Sequence, residues 1–200
     1  MNETDRASIE NFHNKVIAEF GIGSVDALGW LSNASQQARF KTLSMLGDFT
    51  GKSVIDAGCG HADLLPWLSG MYTGIRYFGI EQLQVFLNVA TERYGHLPNA
   101  TFLPGDFSET ALPVADYVIA CGSLSYHNSD PNYIFKMIEK LFAHCRLGFG
   151  FNLLSAIQHP DPAIVFYNPD RIVEFCKTCS DNVLLKDGYW ENDFTVFMYH

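Results

Sequence analysis

The stretch Ser53-Val-Ile-Asp-Ala-Gly-Cys-Gly-His-Ala-Asp63 decides the reading of this chain. A short apolar run ends in an acid, a glycine-rich turn follows, and Leu64, Leu65, Trp67 and Leu68 then form the apolar face of a helix. Strand, glycine turn and helix in that order open a βαβ unit. Working outward, Arg76-Tyr-Phe-Gly-Ile80 is a second strand that ends at Glu81, and a helix runs from about Leu83 to Tyr94. Thr101-Phe-Leu103 is a third strand leading to Gly105-Asp106-Phe107. Asp116 to Cys121 is the fourth strand, Pro131 to His144 a helix, and Leu147 to Leu153 the fifth strand. This alternation predicts an α/β protein with a central parallel sheet.

Two helices are expected before the sheet, over about Thr4 to Phe20 and Ala34 to Leu46, the second capped by Ser32 or Asn33 and closed by Gly47. They make residues 1–50 a helical cover on a core of residues 51–200, within one domain. After the fifth strand come a Pro-rich loop from Ile157 to Pro162 and a helix that starts at Asn168-Pro169-Asp170. Asn182 to Lys186 and Asp193 to Tyr199 then read as an antiparallel hairpin at the sheet edge.

The 200 residues fit one core, and 48% hydrophobic against 18% charged excludes a disordered chain. Thirteen Lys and Arg against 22 Asp and Glu give a net charge of −9, and no basic cluster offers a nucleic-acid backbone its counterions. No window approaches the roughly 20 apolar residues that span a bilayer. A soluble, cytoplasmic protein is expected, with neither nucleic acid nor membrane as partner. Five cysteines without an apparent export signal are expected to be reduced thiols. Cys176 and Cys179 form a single C-x-x-C without the second half of a zinc site, so no metal is expected.

In an open α/β sheet, ligands settle outside the carboxyl ends of the strands, where a glycine turn lets them approach the backbone. A dinucleotide and another adenosine-bearing ligand both suit Asp56-Ala-Gly-Cys-Gly-His61, and each would place Glu81, 21 residues after Gly60, on the ribose. The dinucleotide pattern requires a third glycine where Asp63 stands, and a carboxylate there repels a pyrophosphate. Asp56 and Asp63 favour instead a ligand with an ammonium or sulfonium, both of which S-adenosylmethionine carries.

At these residues the chain resembles the class I S-adenosylmethionine-dependent methyltransferases. The resemblance rests on Val54 to Gly60, Glu81, Gly105-Asp106-Phe107 and Asp116 to Cys121, and the terminal hairpin adds to it. It implies a Rossmann-like seven-stranded sheet in the order 3-2-1-4-5-7-6, with strand 7 antiparallel. Ala27 to Trp30, Gly51 to Val54, Phe151 to Ser155 and Asp193 to Val196 are similar to a set of small bacterial methyltransferases.

The resemblance implies that Gly58, Cys59 and Gly60 admit the methionine part of S-adenosylmethionine, with Asp56 and Asp63 near its ammonium. It places Glu81 on the ribose hydroxyls, Asp106 on the adenine amino group, and Gln82 and Phe107 against the ring. Cys121, Gly122 and Leu124 would form the floor under the methyl. Tyr126 and His127, just past the fourth strand, are the candidate catalytic pair if the acceptor needs a base. Trp30, His159 and Tyr167 are candidate walls of a pocket for a small-molecule acceptor. Nucleic-acid amino methyltransferases often carry Asn/Asp-Pro-Pro-aromatic after the fourth strand, and Cys121-Gly-Ser-Leu124 stands there instead. A dinucleotide-dependent oxidoreductase and a non-catalytic domain with the same fold are the alternative readings.

Overall fold

The structure is a computed structural model and describes residues 1–156 and 161–200. Seven strands form one sheet: β1 Ser53–Ala57, β2 Arg76–Glu81, β3 Ala100–Pro104, β4 Ala115–Ala120, β5 Cys145–Leu154, β6 Asn182–Asp187 and β7 Asp193–Tyr199. Their order is β3-β2-β1-β4-β5-β7-β6. The first five are parallel, and β7 runs antiparallel to both β5 and β6. This is the architecture the methyltransferase resemblance implies.

Every residue of β1 is buried, as a strand covered on both faces requires. Successive residues serve opposite faces. Ile55 and Val118 join Phe149, Phe151 and Leu141 on one side of the sheet, whereas Val54 and Ile119 join Leu43, Leu65, Leu68 and Tyr77 on the other. The helix α5, Tyr133–Phe142, buries Ile134, Met137, Ile138, Leu141 and Phe142, a stripe at helical spacing that seals the first core. Its partner on that side, α6 Pro169–Cys179, opens where expected, with Asn168 accepting from Arg171 N–H at 3.1 Å and Pro169 in the first turn. The helices α3, Leu64–Ser69, and α4, Gln84–Tyr94, link β1 to β2 and β2 to β3.

Ahead of the sheet lie α1, Glu3–Phe20, and α2, Asn33–Leu43. Ser32 caps α2, exchanging hydrogen bonds with Ser35. The α-helix stops at Leu43, earlier than the expected Leu46, and one tighter turn over Ser44–Leu46 completes it before Gly47. Neighbours of β1 on its two sides, β2 and β4, are the strands where the chain order reverses, so a crevice opens at their carboxyl ends. No helix among the described residues is long and apolar enough to cross a membrane.

Candidate functional site

The crevice is a cavity of about 700 Å³. Its base is the glycine turn. Gly58 has φ +79°, its N–H and that of Cys59 donate to Ile80 O at 2.9 and 3.0 Å, and an added Cβ would fall 2.4 Å from Ser123 Cβ. Gly60, at φ +55°, donates to Glu81 Oε2 at 2.9 Å, and its Cβ would strike Leu28. Only glycine fits this geometry without strain.

Three carboxylates converge on the turn. Asp56, at the end of β1, accepts from Tyr77 Oη at 2.5 Å, while its other oxygen is buried and unpartnered among the described residues. Burial, helped by the charges of Glu81 and Asp63, pushes Asp56 up to about 7 against the lowering effect of Tyr77. Glu81 closes β2; its Oε1 accepts from Leu83 N–H at 2.8 Å, and burial raises its pKa against the pull of its backbone donors. Asp63 differs from the sequence expectation of a bare repelling charge. Arg93 lies 3.1 Å from its Oδ1, and Gln36 Nε2 donates to Oδ2 at 3.4 Å. The ion pair offsets part of the field that Asp63 would exert on a phosphate.

The roof comes from the N-terminal helices. Ile9, Phe12 and His13 of α1 and Gln36, Arg39 and Phe40 of α2 line the cavity. Asp5 holds α1 down by accepting from Ser129 N–H at 3.1 Å and Ser129 Oγ at 2.9 Å. His13 adds a second tie. Its Nδ1 is 3.0 Å from Ala27 O, and because a carbonyl only accepts, Nδ1 carries the proton. Neutral His13 therefore accepts at Nε2 from Tyr126 Oη, 2.7 Å away. Burial lowers the His13 pKa and raises that of Tyr126, so both stay uncharged.

Across the sheet, the wall is made at β5 and β7. Asn152 Oδ1 accepts from Gly122 N–H at 2.8 Å. Arg39 Nη2 donates to Asp193 Oδ1 at 2.8 Å and lies 2.7 Å from Oδ2, with both side chains buried. The guanidinium stacks over Trp30 at 4.7 Å. Tyr189 and Thr195 share a hydroxyl hydrogen bond of 2.8 Å.

Asp56, Gly58, Cys59, Gly60 and Asp63 all line the cavity, as do Glu81, Gln82 and Phe107. So do Cys121, Gly122, Tyr126 and Trp30. Asp106 does not: it is buried with Oδ1 accepting from Ser108 N–H at 2.8 Å and Oδ2 3.3 Å from the Met1 ammonium. Leu124 lies in the core beside α5, and Tyr167 donates to Leu124 O at 3.5 Å from outside the lining. His127 is exposed, and its N–H donates to Ala163 O at 2.8 Å. The partner of Tyr126 is therefore His13, not its chain neighbour. His159 lies outside the described residues. The thiols of Cys59 and Cys121 are pushed far up by burial, with Asp56 adding to the effect, so neither is a nucleophile at neutral pH. Three residues that sequence reading did not single out, His13, Arg39 and Asn152, complete the site.

A family model described as a methyltransferase domain matches residues 54–148, from β1 into β5. Residues 54–148 thus carry a methyltransferase-domain match, and the sheet has the class I methyltransferase fold. Solved structures agree on the fold. Magnesium protoporphyrin IX methyltransferase from Synechocystis is 15% identical with a TM-score of 0.67, over 84% of each chain. A SAM-dependent methyltransferase from Aquifex aeolicus is 20% identical with a TM-score of 0.61, over 80% of this chain and 88% of its own. Human N-acetylserotonin methyltransferase is 13% identical with a TM-score of 0.63, over 80% of this chain and 51% of its own. The comparison with curated proteins finds no match. The Synechocystis and human proteins have been crystallised with S-adenosylmethionine.

Proposed function

We propose that this methyltransferase acts on a small molecule held in the cavity beside Cys121 and Gly122. The observation that carries the reading is a single cavity of about 700 Å³ shared by the glycine turn, Glu81 and the β5 wall, within the roughly 300–1,000 Å³ of small-molecule sites. The net charge of −9 disfavours a nucleic-acid acceptor. The five unpaired thiols fit the reducing cytoplasm.

The residues present fit S-adenosylmethionine. The positive-φ glycines leave a cradle that a Cβ would fill, and the unpartnered oxygen of Asp56 suits an ammonium. Each Glu81 oxygen accepts one backbone N–H and keeps a lone pair for a ribose hydroxyl. Leu83, Phe86 and Phe107 give the apolar surface an adenine ring requires. When bound, the cofactor supplies a methyl on a sulfonium that a nucleophile displaces in line. The chain's part is to hold the acceptor at the cavity floor and to exclude water, which residues 1–50 do as a cover over the core of residues 51–200. Tyr126, fixed as a donor to His13, keeps a lone pair on its oxygen for a hydroxyl of the ligands. If the acceptor must lose a proton, Tyr126 can take it while passing its own to His13 Nε2, a relay that works against the lowered pKa of His13.

Calorimetric titration with S-adenosylhomocysteine tests the reading. Glu81→Ala is expected to weaken binding by about 1–3 kcal/mol, or roughly five- to 150-fold. An unchanged dissociation constant removes Glu81 from the ribose.

A further inference from the structure

Arg39 is the sole Lys or Arg that lines the cavity among the described residues. Its surroundings do not use it fully. Nη2 serves Asp193, whereas Nε and Nη1 are buried with no partner among the described residues. A buried donor without a partner costs free energy unless a ligand or water satisfies it. Asn152 stands on the same side. Two-residue spacing puts Asn152 and Leu154 on one face of β5, and their opposite numbers Thr195 and Asp193 on the same face of β7. Because Gly122 N–H fixes the oxygen of its amide, the NH2 of Asn152 is the end left over, on a side chain that is 1% exposed.

The glycine turn cannot supply the same service, since the N–H groups of Gly58, Cys59 and Gly60 already donate to Ile80 O and Glu81. The carboxylates Asp56, Asp63 and Glu81 also make that end hostile to an anion. On the β5 side the acids are accounted for: Asp193 is paired with Arg39, Asp161 Oδ1 accepts from Ala163 N–H at 2.8 Å, and Glu191 is exposed at the rim.

We propose that Arg39 and Asn152 form a carboxylate-binding subsite on the β5 side of the cavity. The proposal rests on the methyltransferase reading. The carboxylate has two possible sources, the amino-acid end of the methyl donor or an aryl acid acceptor stacked near Trp30, and the experiment separates them. Wild-type protein is titrated with S-adenosylhomocysteine and with its decarboxylated analogue; the protein saturated with the analogue is then titrated with benzoate, salicylate and indole-3-acetate and with their primary amides. Two variants are compared. Asn152→Asp keeps an acceptor for Gly122 N–H but turns an anionic oxygen toward the subsite. Arg39→Gln combined with Asp193→Asn replaces the ion pair by a neutral hydrogen-bonded pair, and thermal melts confirm that both variants fold.

If the donor brings the carboxylate, wild-type protein prefers S-adenosylhomocysteine over the analogue at least tenfold, and both variants lose the preference. If the acceptor brings it, the two nucleosides bind alike, and at least one aryl acid binds tenfold better than its amide only in wild-type protein. Absence of a carboxylate preference in both arms, or a preference that survives both variants, overturns the proposal. Wild-type protein that binds neither nucleoside contradicts the cofactor reading instead, and the aryl acid titration, run without nucleoside, still decides the subsite.

Discussion

The glycine turn and the wall at β5 and β7 face the same cavity but are built by different means. The turn works through backbone conformation. Gly58 and Gly60 take positive φ angles, their N–H groups donate to Ile80 O and Glu81 Oε2, and Leu83 N–H donates to Glu81 Oε1, no bond spanning more than 22 residues. The wall works through side chains from far apart: Arg39 meets Asp193 across 154 residues, and the roof contact of His13 with Tyr126 spans 113. Backbone-built sites write themselves into local spacing, and side-chain-built sites do not.

The sharpest way to break this contrast is at the wall. Arg39→Met leaves Asp193 buried and unpaired, which is expected to cost about 3–5 kcal/mol in denaturant unfolding. Adding Asp193→Leu is expected to restore most of it, because burying neither charge is close to neutral. A loss below about 1 kcal/mol for Arg39→Met would mean the pair does not anchor α2 to the sheet.

At the turn, His61 is buried and pushed down to about 4 by burial, ahead of the opposing charge of Asp63. The unfolded chain takes up a proton near pH 6.5 that the folded chain refuses. Stability from this group is therefore complete above about pH 6.5 and is lost as pH falls toward 4, by at most about 3 kcal/mol. Comparing wild-type protein with His61→Phe by thermal melts isolates the term; parallel curves between pH 4 and 6.5 would show that His61 does not titrate as its burial requires.

A smaller effect is expected at Asp56. With its pKa near 7, it is mostly protonated at pH 6 and mostly ionised at pH 8. Affinity for S-adenosylhomocysteine, which carries an ammonium, should then rise up to about tenfold over that interval, near 1.4 kcal/mol. Asp56→Asn should flatten the rise. An equal pH dependence in both proteins places the ammonium elsewhere.

The same contrast explains what could be read in advance. The parallel strands, the glycine turn and Glu81 follow from short apolar runs and spacing, and the hairpin with the family resemblance gave the place of β7 beside β5. In Gly105-Asp106-Phe107 the motif was visible, but which side chain entered the cavity depended on the turn after β3, which buries Asp106 against Ser108 and leaves Phe107 in the wall. Tyr126 and His127 looked like a pair because they are adjacent; the chain turns His127 outward, and the histidine that meets Tyr126 arrives from α1. No local signal marks His13, Arg39 or Asn152. Their one trace in the sequence is polarity at positions of α1, α2 and β5 that the fold buries.

The most direct trial of the account is a calorimetric competition between S-adenosylhomocysteine and NAD for the wild-type protein. The account predicts saturable one-to-one heat with the thioether nucleoside and none with NAD at comparable concentrations. Saturable heat with NAD alone would contradict it.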